Sequence, residues 1–501
     1  MELFLIGHDC RYAVEQMLLT LFPEERPQYP EKPSGADSAR ITLRRGRKYM
    51  TAQCRLGLDG TIYEGQARCL LPDRSDPLEE TRQQQRLVKL AFYRAALRSG
   101  RERPVWGALT GVRPARILSR KIELGASEKT ARTQFIREND VHPARADLCV
   151  HAARASMEVL RTLDPQKDVC LYVGIPFCPS RCAYCSFVSQ DVSRSISMLP
   201  AFLEALKKEI EAAAAVVKRC GLRPVSVYIG GGTPTTLDET QLQELCTALR
   251  ENFDLSACRE FCVEAGRPDT ITPGKLEVLR RQGVTRISVN PQSMTDRVLE
   301  AAGRRHTAQD VVDALETARR IADFDINMDL IAGLPDDTPE DFGRSLERVL
   351  ALRPENITVH TLARKKGSRI LLEDAVLPSP EDIGQMVETA CRRLTEAGYV
   401  PYYLYRQKFM AGGFENVGWT LPGHANLYNL CIMEELTGIL AMGGGASTKL
   451  TRGDGRIERL FTPKYAKEYC AAIDRVVSDK EKIAAFYGMP DKTERSGDHV
   501  L

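Results

Sequence analysis

The stretch CPSRCAYCSF, Cys178 to Phe187, follows the apolar run CLYVGIP at Cys170 to Pro176. Three cysteines stand at C-x3-C-x2-C spacing on what must be one tight loop leaving a strand. A structural zinc site closes its shell with four protein ligands, and no CxxC or HxxxH partner is evident elsewhere in the chain. A [4Fe-4S] cluster also ordinarily takes four thiolates. Three thiolates at one point leave one iron without a protein ligand and open to a chelating small molecule. Both metals stay open on spacing alone.

Working outward, the rhythm from Cys170 on is strand, helix, strand. Candidate strands are CLYVGIP, PVSVYIG, REFCVEA, VTRISVN, DINMDLI and NITVHTL. Between the first two, Leu199, Leu203, Leu206, Ile210 and Val217 fall on one helical face, and Gly221 stops that helix. The next helix carries Leu242, Leu245, Leu249 and Phe253 on one face. A third opens with Thr338, Pro339 and Asp341 in a capping-box pattern. Six such units predict an α/β fold whose parallel sheet rolls into an incomplete (β/α)6 TIM-like barrel. In such barrels chemistry collects at the strands' C-terminal ends, where the cysteines fall.

Residues 1–165 read differently. A first strand over Leu3 to Gly7, a helix, an alternating hairpin turning at Asp59 and Gly60, and further helices predict a separate α+β domain. The barrel is expected over 166–400. From 401 to 501 a Gly-rich aromatic tail breaks the repeat and is expected to form a substrate-covering C-terminal subdomain. The chain has 501 residues, 43% of them apolar and 27% charged, enough for ordinary cores. Its net charge of +3 gives no global pull toward nucleic acid. No apolar run approaches a membrane span, and the start carries no secretory pattern. Of fifteen cysteines, most lie singly in apolar segments, as Cys54, Cys149, Cys246 and Cys391 do, in the manner of small buried hydrophobes. A reduced, cytoplasmic protein is expected.

The other strand ends carry polar or backbone-rich stretches. The second ends in YIGGGTPT, Tyr228 to Thr235, where glycines let backbone approach a ligand closely. The third ends at Glu264, the fourth runs into Asn290 and Gln292, and the fifth carries Asn327 and Asp329. A lone acid in a strand is ordinarily a solvated face; polar groups at successive strand ends are more economically a binding site. Arg304 and Arg305 could equally be helix-surface charges.

Taken together, Tyr172, Pro176, Phe177, the cysteine triplet, GGGTPT and NPQSM…NMDLIAGLP resemble the radical S-adenosylmethionine superfamily. Within it they are similar to the oxygen-independent coproporphyrinogen III oxidase family and its HemZ-like coproporphyrinogen dehydrogenase branch, over about 168–449. The resemblance implies that Cys178, Cys182 and Cys185 hold a [4Fe-4S] cluster whose fourth iron site takes S-adenosylmethionine. It implies Tyr172, Gly231 and Glu264 as contacts of that molecule, with Tyr172 and Glu264 as candidate catalytic residues. Tyr184, Gly232, Thr233, Gln292, Arg304, Asp329 and Ala363 would correspond to contacts of a second S-adenosylmethionine, which members can bind. The implied reaction is oxidative decarboxylation of two propionates of coproporphyrinogen III to vinyl groups by a 5′-deoxyadenosyl radical. Implied partners are that tetrapyrrole or a relative, a low-potential electron donor and an electron acceptor. Candidate cations for the carboxylates are Arg113, Arg304, Arg305, Arg364, Lys365, Lys366 and Arg406.

One departure matters. The oxidase proper carries a further cysteine two residues after the last ligand, where this chain has Phe187. Haem chaperones of the same family share that residue type, so a chaperone with His360 or His424 as axial ligand is the chief alternative. A haem-degrading radical methyltransferase is another. Outside the family stands a zinc-stabilised binding protein without catalysis.

Overall fold

The computed structural model describes the chain apart from residues 33, 36, 72–76, 186–189, 192–195, 364–374, 408–410, 453–455 and 489–501. It falls into two compact units, Met1–Val150 and His151–Leu501. No helix among the described residues is long and apolar enough to cross a membrane.

In the first unit, β1 (Glu2–Ile6), β2 (Ser38–Arg45), β3 (Tyr49–Leu58) and β4 (Thr61–Leu70) form a sheet in sequence order. β1 runs parallel to β2, and the rest are antiparallel. The hairpin between β3 and β4 turns on Asp59 and Gly60, both at positive φ (48° and 78°), as a two-residue turn matched to strand twist requires. Val14, Met17 and Leu18 of the helix Arg11–Leu21 join Leu87, Val88, Ala91 and Phe92 of the helix Pro77–Arg98 in one buried core with Ile41, Cys54 and Leu56.

The second unit is built on the six predicted strands. They are β5 (Asp168–Ile175), β8 (Arg223–Gly231), β9 (Glu260–Val263), β10 (Arg286–Ser288), β11 (Asp325–Ala332) and β12 (Asn356–Thr361). A short pair, β6 (Phe177–Cys178) and β7 (Gln190–Asp191), lies between the first two. All six run parallel and lie side by side in sequence order. Buried on both faces, they read as nearly unbroken apolar runs. The helix Leu199–Arg219 buries the five residues named for its inner face and ends at Gly221 with φ 62°. Leu242, Leu245 and Leu249 are buried on the helix Glu239–Asn252. Thr338 caps the helix Pro339–Leu352, its hydroxyl accepting from the Asp341 amide at 3.1 Å.

Among the described residues the sheet is open and has eleven strands. Six parallel strands leave two edges of unpaired N–H and C=O groups, and the residues expected as an added subdomain cover both. β14 (Asn416–Thr420) adds antiparallel to β12, and β13 (Val400–Tyr405) adds antiparallel to β14. β15 (Gly438–Gly443) adds parallel to β5, followed antiparallel by β16 (Ser447–Thr451) and β17 (Ile457–Phe461). The tail therefore extends the same sheet.

At the strands' N-terminal ends Arg286, buried at 3% exposure, ties the first residues of four strands together. It pairs with Glu260 at 3.1 Å and Asp325 at 2.8 Å, and donates to Asn356 and to the His424 carbonyl at 2.9 Å. Glu260 also accepts from the amides of Leu427 and Tyr428, at 3.2 and 3.3 Å, which open the helix Leu427–Glu434. Removing the cation leaves a buried carboxylate uncompensated, so Arg286→Met should cost about 3–5 kcal/mol in denaturant unfolding. Glu260→Gln combined with it should recover part of that loss; equal stability of Arg286→Met and the parent chain would show the pair to be idle.

Candidate functional site

The turn after β8 and the cysteine loop after β5 are pressed together by strand register. Ile175 stands opposite Gly231, so two loops leave neighbouring strands at the same level. The Gly232 amide donates to Ile175 O at 2.8 Å, and the Thr233 amide to Phe177 O at 2.7 Å. A Cβ on Gly232 would meet Phe177 O at 2.5 Å and Cys178 Sγ at 3.0 Å. Gly231 has φ 109°, a region nearly reserved for glycine. The first glycine of the run, Gly230, leaves room for the Glu264 carboxyl, whose Cδ a Cβ there would meet at 2.9 Å.

Cys178, Cys182 and Cys185 are half-buried and open into one cavity of about 380 Å³. Thr233 donates its hydroxyl to Cys178 Sγ at 3.5 Å. Every other candidate site residue except Tyr172 also lines this cavity: Tyr184, Gly231, Gly232, Thr233, Glu264, Gln292, Arg304, Asp329 and Ala363. Tyr172 lies outside the lining, its ring stacked at 6.2 Å on Tyr228, which does face the cavity. Among the described residues no three of His, Cys, Asp and Glu stand so as to hold a single metal ion. A cluster that gives each thiolate its own iron does not require them to.

The two acids behave differently. Glu264 accepts from Tyr228 Oη and, at 3.2 Å, from the Gly231 amide. Burial pushes its carboxyl up to about 7, the charge of Asp329 adding to the effect and the two donors opposing it. Asp329 feels burial too, but His360 at 3.8 Å, Asn327 at 2.8 Å and Thr358 outweigh it and hold this carboxyl below its usual range. One acid is poised near neutrality and the other stays ionised.

Gln292 is buried and holds φ 68°, a left-handed conformation costly for a side chain with a Cβ. Its amide donates to Asp329 O at 2.8 Å, and its carbonyl accepts from Ile331 at 3.0 Å, which locks the loop onto β11. Arg304 donates to Tyr184 Oη at 2.9 Å and to Gly266 O at 3.3 Å, joining the cysteine loop to the end of β9. It is a cavity residue, which settles the choice against an ordinary surface charge.

Of the other cations proposed for carboxylates, Arg305 is exposed and does not line the cavity. Arg406 donates to Gly413 O at 3.1 Å. Arg113 belongs to the first unit. Arg364, Lys365 and Lys366 lie outside the described residues, as do Ser186 and Phe187. His360 lines the cavity, whereas His424 pairs with Asp325 at 2.7 Å at the opposite ends of the strands. Cys54, Cys149 and Cys246 are buried as expected, while Cys391 is half-buried. Residues missed by the sequence reading include Arg267, three residues past Glu264, and Asn416, Asn429 and Met433 from the C-terminal part. A polar residue near a strand end could have flagged Arg267; nothing local marks the other three.

Residues 172–349 match the radical SAM superfamily. The chain is 37% identical over 382 residues to the oxygen-independent coproporphyrinogen-III oxidase-like protein HemZ of Bacillus subtilis (strain 168), across 75% of this chain and 76% of that protein. It belongs to the radical SAM superfamily. Within that superfamily it is a close relation of the HemZ- and HemN-like coproporphyrinogen III oxidases. The solved structure of coproporphyrinogen III oxidase (HemN) from Escherichia coli, titled a radical SAM enzyme, superposes with TM-score 0.51 at 26% identity. That match covers 66% of this chain and 72% of that one. The heme chaperone HemW of Escherichia coli (strain K12) is 27% identical over 299 residues, 60% of this chain and 75% of that protein. Membership makes this chain a redox-active radical SAM enzyme that uses an iron–sulfur cluster and S-adenosylmethionine.

The raised carboxyl of Glu264 has a pH signature in the cofactor-free chain. Its folded form holds a proton that the unfolded form has released, so stability falls as pH rises from about 4.5 to about 7 and is level above. Glu264→Gln removes that slope. The gap between the variant and the parent chain should widen in favour of the variant across this window, by up to ~3 kcal/mol. Parallel stability–pH curves would rule out the raised carboxyl.

Proposed function

We propose that the chain carries out oxygen-independent oxidative decarboxylation of coproporphyrinogen III propionates to vinyl groups, in tetrapyrrole biosynthesis. The observation that carries this is the meeting, in one cavity at the C-terminal ends of six parallel strands, of residues from six separate segments that the family resemblance singled out. We read the six central strands as the incomplete barrel of this superfamily, residues 1–165 as its added domain, and 401–501 as contributing to the substrate cover. A cytoplasmic location fits such a reductive chemistry.

Cys178, Cys182 and Cys185 would hold the [4Fe-4S] cluster. The site fits one: the thiols open to the cavity, hydroxyl and guanidinium donors reach two of the sulfurs, and a glycine keeps the adjoining turn clear of the loop. When bound, the cluster and S-adenosylmethionine supply a radical able to abstract hydrogen from the carbon β to a propionate carboxylate. The chain's own work is to position and seal. Glu264, near neutrality, can accept from an N–H-bearing ligand at the Gly231 turn and ionise in doing so. Asp329, already ionised, suits a second cationic or hydroxylated ligand, with Gln292, Arg304 and Ala363 around it. Arg304 supplies positive charge for a carboxylate. An acceptor would take the electron left after CO2 departs, and a low-potential donor would supply the electron that the radical chemistry needs.

His360 in the cavity wall and the likeness to HemW favour one second reading, a haem chaperone. Anaerobically reconstituted chain supplied with reductant, S-adenosylmethionine, coproporphyrinogen III and an electron acceptor separates the two. The proposal expects 5′-deoxyadenosine together with tripropionate and dipropionate products, abolished in Cys182→Ser. Tight haem binding without decarboxylated product would replace it with the chaperone reading.

A further inference from the structure

Arg267 is a buried arginine that the reaction scheme does not use. It stands on the loop leaving β9, at 3% exposure, against the cysteine loop. A guanidinium has five N–H donors in a fixed planar fork. Each has an acceptor here. Nε and Nη2 grip the Asp269 carboxylate at 3.0 and 3.1 Å. Nη2 also donates to Ser180 Oγ at 3.1 Å, and Nη1 donates to Ser180 O at 3.4 Å and to Cys182 Sγ at 3.7 Å. With the fork fully occupied by protein, no N–H is left over for a bound molecule. Its contacts fall on the residue midway between the first two cysteines and on the second cysteine itself.

We infer that Arg267 is a positioning residue which clamps the cysteine loop through Ser180 and raises the reduction potential of the cluster through its N–H on the Cys182 sulfur. This rests on the cluster reading of the preceding section. The physical basis is that reduction adds negative charge to the cluster, part of it on the ligating sulfurs. A cationic donor on such a sulfur therefore favours the reduced state. Burial makes that contribution larger than it would be in water. Asp269 keeps the fork in plane, and being partly exposed it tolerates loss of its partner. Lysine cannot replace the arginine: one ammonium with three donors cannot span five acceptors.

The test uses the full chain, anaerobically reconstituted, as parent, Arg267→Met, Arg267→Lys and Asp269→Asn. Iron content, melting temperature and the midpoint potential from an EPR-monitored redox titration are measured. The expected result is a more negative potential in Arg267→Met, a smaller negative shift in Arg267→Lys, and a lower reduced fraction at a fixed applied potential in both. Loss of iron from Arg267→Met at an unchanged melting temperature also supports the clamp, and the potential is then read in Arg267→Lys and Asp269→Asn. Potentials equal to the parent's in every variant that holds iron would overturn the inference while leaving the site reading intact. Absence of a cluster from the parent chain would instead overturn the site reading.

Discussion

The constraint on which the site depends is a close approach of two loops: the turn at Gly232 lies on the carbonyl of Phe177 and the sulfur of Cys178. It follows from two strands in parallel register, with Ile175 level with Gly231. Parallel neighbours deliver their following loops to the same edge of the sheet, and here the first residues of the two loops lie so close that one must lack a side chain. The glycines let the turn pass, and the two amide bonds to Ile175 O and Phe177 O then fasten the cysteine loop to the sheet. A side chain at position 232 would push that loop outward and carry the cysteines away from Glu264, Gln292 and Asp329. The site's other contacts presuppose this one.

Charge is segregated across the cavity that results. Arg267 and Arg304 stand on the side of the cysteine loop, one reaching Cys182 and the other Tyr184. The carboxyls of Glu264 and Asp329 project from the sheet, and the rest of the wall includes the amides and phenols of Asn290, Asn327, Asn416, Tyr403 and Tyr405. An anionic centre bound at the thiols sits beside cations, and a ligand carrying both an ammonium and a carboxylate finds partners for each. The acids differ in charge state because they differ in neighbours. Asp329 has a histidine and an amide, whereas Glu264 has a phenol, one backbone amide and the field of Asp329. Two identical functional groups in one cavity are thus made unequal by environment alone.

How much of this the sequence carried depends on the range of the forces involved. The six strands were legible because burial on both faces writes an apolar run into a single segment, as in CLYVGIP and PVSVYIG. The helices were legible from one-sided periodicity and from caps such as Thr338. Glu264, Asn290 and Gln292 were legible because they sit at strand ends, where an apolar run gives way to a polar residue, whereas Tyr184, Arg304 and Ala363 were given by the family resemblance. What the sequence did not carry is pairing between distant segments. β17 alternates only between exposed and half-buried residues, so its pattern is weak until β16 lies beside it. Asn429 and Met433 lie on a short helix apolar on nearly all sides, which reads as core and says nothing of a cavity. Tyr172 carries the family pattern, yet its ring lies behind Tyr228. Side chains paired across neighbouring strands compete for the same space, a fact that one strand's sequence cannot show.

The C-terminal part changes the meaning of the open sheet. Six parallel strands in an open sheet leave two edges, a liability for a site that must exclude water. β14 on one edge and β15 on the other satisfy the backbone groups that closure would have satisfied. The helix Leu427–Glu434 sets its first amides on Glu260 at the strands' N-terminal ends, and its Tyr428 stacks at 4.3 Å on Tyr228 inside the sheet. From the same helix Asn429 and Met433 reach the cavity itself. Arg286 and Glu260 therefore do more than pair: they anchor the helix that supplies part of the cavity wall. The residues that stabilise one end of the strands thereby shape the chemistry at the other.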